Sequence, residues 1–216
     1  MSSTLKRMAP APSSAAVDVR RTVLDAALAI IDVQGPDAVS MREVARQAGV
    51  SHQAPYHYFH DRAGIFAAIS EEGFLGLSEA LHRAYSSTSN PVGDGLRAYV
   101  TFAMSHRGHF RVMFRNDICG IATHEPALLA ADQAFNALLS VVNHVVDGEP
   151  SEENAMVWAT TLWSIAHGVA TLVIDGPLVP RLAKHPSIND VDAYLDTVID
   201  HFAAMVNRQA KELFTS

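Results

Sequence analysis

Residues 40 to 59 read SMREVARQAGVSHQAPYHYF. Ser40-Met41-Arg42-Glu43 has the form of a capping box, a hydroxyl and a carboxylate spaced to satisfy each other's free amides where a helix starts. The helix so begun stops at Gly49, and Ser51 is then placed to cap a second, short helix running to about Phe59. Ala45 is small, as a close crossing of two helices requires, and Val44 and Val50 supply apolar pins. Two short helices over a tight turn make a helix-turn-helix, whose second helix enters the major groove of DNA. Such a helix needs polar side chains near its N-terminal end, and Ser51, His52, Gln53 and His57 provide them. Gln53 suits the bidentate pairing with an adenine edge. Tyr56 and Tyr58 offer hydroxyls to phosphate oxygens, as do Ser40 and Arg42 at the preceding helix start. Arg62 opens the next helix, where free amides and the helix dipole also favour phosphate.

Working outward, the pattern stays helical and no strand pattern or internal repeat occurs. A helix is expected from about Val19 to Gln34, with Leu24, Ala27, Leu28 and Ile31 on one face and Gly35-Pro36 ending it. Asp61 is placed to cap a long fourth helix carrying Ile65, Phe66, Ile69, Leu75 and Leu77. That helix fades in Ser86-Ser87-Thr88-Ser89-Asn90-Pro91, which reads as a joint between head and body. Further helices are expected near 92–106, 108–115, 126–148, 151–175 and 190–214. The last is the cleanest: Val191, Tyr194, Leu195, Val198, Ile199, Phe202, Met205 and Val206 share a face, with Asp192, Asp196 and Asp200 opposite.

From Thr22 to Ile69 the chain resembles the DNA-binding head of the TetR/AcrR family of bacterial regulators, through LDAALAIID with Gly35, SMREVARQAGVS and YHYFHDRAGIF. The resemblance implies that Tyr56 and Arg62 touch phosphates, that the third helix reads bases and that the N-terminal residues act as an arm. Trp163-Ser-Ile-Ala-His167-Gly168 is similar to the Trp…His-Gly signature of one C-terminal subgroup of that family. One departure is Pro55, where many family members carry leucine. Proline costs about 3 kcal/mol inside a helix and much less within its first turn, so a short or slightly bent third helix is expected.

Composition agrees with a folded two-part protein. Of 216 residues, 49% are hydrophobic and 18% charged, enough to build a sizeable core and too apolar for a disordered chain. The formal charge of −7 argues against a simple basic nucleic-acid binder. Its distribution matters more. Residues 1–62 hold seven Lys/Arg against six Asp/Glu, and residues 63–216 hold nine against seventeen, so the acidity belongs to the body. Any DNA contact by the head must come from placement of residues. Met1 to Ala16 is rich in Ser, Ala and Pro and does not read as a signal peptide; it is expected to be a flexible arm carrying Lys6 and Arg7. The single cysteine, Cys119, excludes an internal disulfide and fits a reducing cytoplasm. Ala155 to Ile174 has the length of a membrane span, but Thr160, Thr161, Ser164 and His167 interrupt it and no basic flank follows. A helix buried among others is the expected reading, with no membrane partner.

In the body, Phe102, Met104, Phe110, Met113 and Phe114 form an apolar cluster that is either core or the wall of a ligand pocket. His167 shares a helix face with Trp163 and is either a core histidine bonded to a carbonyl or, with Trp163, part of a cavity wall. If the body holds a ligand, the pocket residues expected are Phe102, His106, Phe110, Met113, Trp163 and His167. His106 and His109 have a metal-compatible i, i+3 spacing, but no HExxH or ExxH motif accompanies them, and no metal or other cofactor is expected. No nucleophile elbow, phosphate loop or dinucleotide fingerprint occurs, so an enzyme is not expected.

The reading that unites these features is an all-α protein of about nine helices: an arm over 1–17, a DNA-binding head over 18–64, and a ligand-binding and dimerisation body over 65–216. It binds a near-palindromic double-stranded operator as a homodimer sealed by helices 151–175 and 190–214, and an unidentified small molecule releases it. The competing reading is a helical ligand- or metal-binding protein whose head mediates contacts without specific DNA binding.

Overall fold

The computed structural model describes residues 14–86, 88–145 and 150–214, and these are helical with no strand among them. The first helix, α1 (Ser14–Gln34), starts earlier than the expected Val19. The arm expected over 1–17 therefore loses its last residues to α1, and residues 1–13 lie outside the described ones. Gly35 ends α1 at φ 84°, and a single 3-10 turn over Pro36–Ala38 follows.

In α2 (Met41–Ala48), the Ser40 hydroxyl accepts the Glu43 amide at 3.2 Å. The reciprocal half of the expected capping box does not form. The Glu43 carboxylate instead accepts from Arg46, with Nε at 2.9 Å and Nη2 at 2.5 Å, because the guanidinium one turn on is a charged competitor for it. Gly49 ends α2 at φ 66°, where its amide and that of Val50 bond back to the last turn. No atom lies within 4 Å of where a Gly49 side chain would start, so the backbone alone demands glycine there.

The recognition helix is shorter than expected. α3 spans Ala54–Phe59, and Ser51 does not cap it: its carbonyl, not its hydroxyl, takes the Ala54 amide at 3.0 Å. Pro55 explains the shift, since starting at Ala54 places the proline in the first turn, where its missing N–H costs nothing. A tight turn at His60 (φ 63°) then leads into α4 (Arg62–Tyr85). Asp61 caps α4 as expected, its Oδ1 accepting the Gly64 amide at 2.8 Å. Val23, Leu24, Ile30 and Ile31 of α1, Val44 of α2 and Phe59 of α3 form the buried centre of the head, with Arg20 lying 5.4 Å over the Phe59 ring.

The chain divides into two compact units within α4, after Ile65. The polar stretch at 86–90 is thus no joint between head and body. It links α4 to α5 (Pro91–Ser105) inside the second unit, where Asn90 caps α5 through the Gly93 amide at 3.2 Å. Beyond α5 come α6 (Arg107–Met113), α7 (Asn116–Cys119), α8 (Glu125–Val145), α9 (Glu152–Ile174), α10 (Leu178–Leu182) and α11 (Val191–Phe214). The described residues thus hold eleven α-helices instead of about nine; α7 and α10 are too short for periodicity to register. The end of the helix expected over 126–148 lies outside the described residues.

Helix α5 is central, packed on α8, α9 and α11. The α11 acids expected on a far side are partly employed: Arg97 of α5 donates from Nε to Asp196 at 2.8 Å and from Nη2 to Asp200 at 3.0 Å. Helix α9 is long and apolar enough to cross a bilayer by length and composition. In this structure its Trp158, Leu162, Ala166, Val169 and Val173 are buried, and the helix packs on α5 and α8.

Candidate nucleic-acid interface and body cavity

The head presents a row of exposed polar side chains before and along α3. Ser51, His52 and Gln53 stand exposed on the turn and at the helix start, and Tyr56 (41% exposed) and His57 continue the row on α3. The rings of His52 and Tyr56 lie 5.7 Å apart, so the outer edge of the helix is a partly ordered aromatic surface. Tyr58 is half-buried and leans on His57, while Pro55 and Phe59 face the core. Alternation of buried and exposed residues within six positions leaves one side of α3 free for a groove edge. Arg42 and Ser40 are exposed at the start of α2, where the Ser40 hydroxyl is already engaged as a cap.

Arg62 is placed differently from the simple expectation. Its Nη2 donates to the Pro36 carbonyl at 2.8 Å and stands 3.8 Å from the Asp37 carboxylate. It ties the first turn of α4 to the turn after α1. Arg46 is similarly paired, and its hydrogen bond holds the exposed Glu43 carboxyl below the usual carboxylate range. The net charge of the head face is therefore lower than a count of its arginines implies.

Gly64 holds the end of the head's third helix against the start of the fourth. A side chain there would begin 2.0 Å from the Phe59 carbonyl oxygen, so the end of α3 and the first turn of α4 meet only because residue 64 is glycine. The signal in the sequence was a glycine one turn inside a capped helix, a position where glycine lowers helix stability and so calls for a steric reason.

In the second unit, α4, α5, α6, α8 and α9 enclose a cavity of about 460 Å³. Phe74, Leu77 and Leu81 form its α4 side, Phe135 and Leu138 its α8 side, and Trp163 and His167 its α9 side. Leu128, Asp132, Asn116 and Ala122 are exposed lining residues and so mark its rim. The aromatic walls interlock: Phe74 meets Phe114 edge-on at 5.4 Å, and Phe114 meets His167 edge-on at 4.7 Å. Deep in the wall the Tyr99 hydroxyl lies 3.0 Å from His167 Nδ1. Burial pushes the Tyr99 phenol well above its usual range, partly offset by the Trp163 side chain, and burial pushes the His167 imidazole down. The pair is therefore neutral at pH 7.

Of the six pocket residues expected, Met113, Trp163 and His167 line this cavity. Phe102, His106 and Phe110 are not in its lining. Phe102 is buried toward α4, lying 3.0 Å from where a Gly76 side chain would start. His106 ends α5, stacked on Phe102 at 4.5 Å and exposed. Phe110 sits one layer behind the wall, edge-on to Tyr99 at 6.1 Å. The lining residues missed were chiefly those of α4 and α8, above all Phe74, Asp132 and Phe135, together with Tyr99 on α5 itself, because periodicity gives a face but not what faces it. Among the described residues no group of three or more His, Cys, Asp or Glu is placed to hold a metal ion.

With this geometry in place, comparison with known proteins is informative. Residues 23–69 match the model of bacterial regulatory proteins of the tetR family, and residues 94–202, half of the chain, match that of the tetracyclin repressor-like C-terminal domain. The chain is similar to the HTH-type transcriptional regulator AcrR of Shigella flexneri, with 36% identity over 79 residues covering 36% of this chain and 37% of that one. The curated relatives it matches first are thus covered over about a third of their length or less. Over a longer span it resembles the structure of a Rhodococcus sp. RHA1 protein of unknown function, at 29% identity and TM-score 0.69, covering 88% of this chain and 94% of that one. A tetR-family transcriptional regulator from Streptomyces coelicolor shares the fold at 22% identity and TM-score 0.66, covering 91% of this chain and 83% of that one.

Proposed function

The chain belongs to the TetR family of transcriptional regulators, with a DNA-binding N-terminal domain, and from that premise we propose that it is a repressor released from a near-palindromic operator by a small molecule. The observation that carries this reading is the exposed row of His52, Gln53, Tyr56 and His57 on a helix whose other side is buried. In the proposal Gln53 reads a base edge, Tyr56, Tyr58 and Arg42 hold phosphates, and Ser40 and Ser51 supply further hydroxyls. Arg62 acts chiefly by holding α4 against the turn after α1, within reach of the same backbone.

Two copies are needed to address two half-sites. The proposed dimer is sealed by α9 and α11. Leu172 (45% exposed) and Met205 (49% exposed) leave apolar surface on these helices, and a groove lined by Ile165, Gly168, Leu172, Tyr194, Val198 and Phe202 runs between them. A partner's equivalent pair would complete a four-helix bundle of the kind that buries such faces. The cavity is proposed as the effector site. Because α4 contributes Phe74, Leu77 and Leu81 to it and has its own first turn in the head, a ligand that favours a displaced α4 would lower operator affinity through its differential affinity for the two states. The Trp163…His167-Gly168 run supports placing the body in the Trp…His-Gly subgroup, and a DNA partner fits action in the cytoplasm.

The test is a gel shift of the full chain on DNA flanking its own gene across a salt series. Salt-sensitive, competitor-resistant binding is expected. Absence of binding at every salt concentration would favour the helical ligand-binding reading instead.

A further inference from the structure

The cavity has an unusual chemical balance. Its wall is apolar and part of it is aromatic: Phe74, Phe114, Phe135 and Trp163 stand among aliphatic Leu77, Leu81, Ile121 and Leu138, with Phe114 and Phe135 ring centroids 6.0 and 6.3 Å from Trp163. Aromatic faces carry partial negative charge, which attracts cations and repels anions. Among the described residues neither lysine nor arginine lines it. The one formally charged lining side chain among them is Asp132, at the rim, and no ion-pair partner for it occurs among the described residues. The remaining titratable pair, Tyr99 and His167, satisfies itself and contributes no positive charge, since burial disfavours the imidazolium. An anion entering this space would meet ring faces and a carboxylate without a compensating donor of positive charge. A cation would meet both attractions at once. A volume of about 460 Å³ falls within the range of pockets that take drug-sized molecules.

Resting on the reading of this cavity as the effector site, we propose that the effector is an aromatic, drug-sized molecule bearing a single positive charge, its apolar body against Phe74, Phe114, Phe135 and Trp163 and its cationic end at Asp132. The apolar wall supplies most of the affinity and the rim carboxylate selects the sign of charge. Selection against anions follows from the same arrangement, because among the described lining residues no lysine or arginine pairs with one.

Isothermal titration of the full chain with three probes of one aromatic body tests this: (1-naphthylmethyl)trimethylammonium, uncharged 1-naphthalenemethanol and anionic 1-naphthaleneacetate. The cation is expected to bind about tenfold or more tighter than either other probe. Asp132→Asn, at an exposed rim position where folding is checked by thermal melting, is expected to lower the preference for the cation several-fold, to what the rings alone supply. Equal or tighter binding of the anion or the alcohol to the unaltered chain overturns the proposal. So does failure of the cation to bind, or a preference that Asp132→Asn leaves unchanged. A gel shift run beside the calorimetry keeps the two ideas apart. Cation binding that leaves the operator complex intact contradicts the effector reading of the cavity and not its charge preference, whereas loss of that preference with normal operator binding contradicts only the ligand class.

Discussion

At the scale of single residues, the account divides α3 between reading and holding. Gln53 at the helix start and Tyr56 one turn on are both exposed, but their chemistry differs. Replacing Gln53 by alanine should cost about 1–3 kcal/mol on the operator and little on random DNA, which competition binding with scrambled sites measures. Tyr56→Phe should weaken binding to all sequences alike. Gly64 is a purely steric requirement: with 2.0 Å to the Phe59 carbonyl, Gly64→Ala should destabilise the head by about 1–3 kcal/mol, seen in thermal melting, and weaken DNA binding with it. His167 gives a pH signature. Its folded-state pKa is depressed by burial, so below the ordinary imidazole value the unfolded chain binds more protons than the folded one and stability falls. Melting temperature should therefore drop as pH is lowered through and below that value, and the drop should be smaller in His167→Gln.

Secondary-structure elements are where the sequence was most and least legible. Periodicity located α1, α2, α4, α5, α8, α9 and α11, because an amphipathic stripe repeats over several turns and propensity, caps and glycine stops agree with it. It misjudged α3, since Pro55 decides where a short helix can begin more firmly than Ser51 can cap it. It also credited Glu43 with a backbone contact that Arg46 takes. For the cavity, α9 was identified through Trp163 and His167, but Phe102, His106 and Phe110 were placed on its wall when α5 and α6 turn them elsewhere. That depends on which helix lies opposite, a tertiary fact no single stripe encodes. The α9–α11 face carries a prediction at this scale. Introducing charge with Leu172→Arg and Met205→Arg should shift the protein from dimer to monomer at micromolar concentration by analytical ultracentrifugation, while α-helical content stays unchanged. A dimer that persists in the double variant would move the interface elsewhere.

For the molecule as a whole, function rests on the division of labour between a nearly neutral head and an acidic, cavity-bearing body connected by α4. A head with so little net charge, and with Arg46 and Arg62 committed to Glu43 and Pro36, draws little on bulk attraction to DNA. On the proposed function its affinity comes from fit to one sequence, which makes the ratio of specific to non-specific binding the quantity to measure. The most direct measurement is that ratio for the full chain, by fluorescence anisotropy on a fragment containing the flanking operator and on a scrambled fragment of equal length at physiological salt. The account predicts a preference on the order of a thousandfold or more, reduced by Gln53→Ala. Equal affinities for the two fragments, unchanged by Gln53→Ala, would contradict it.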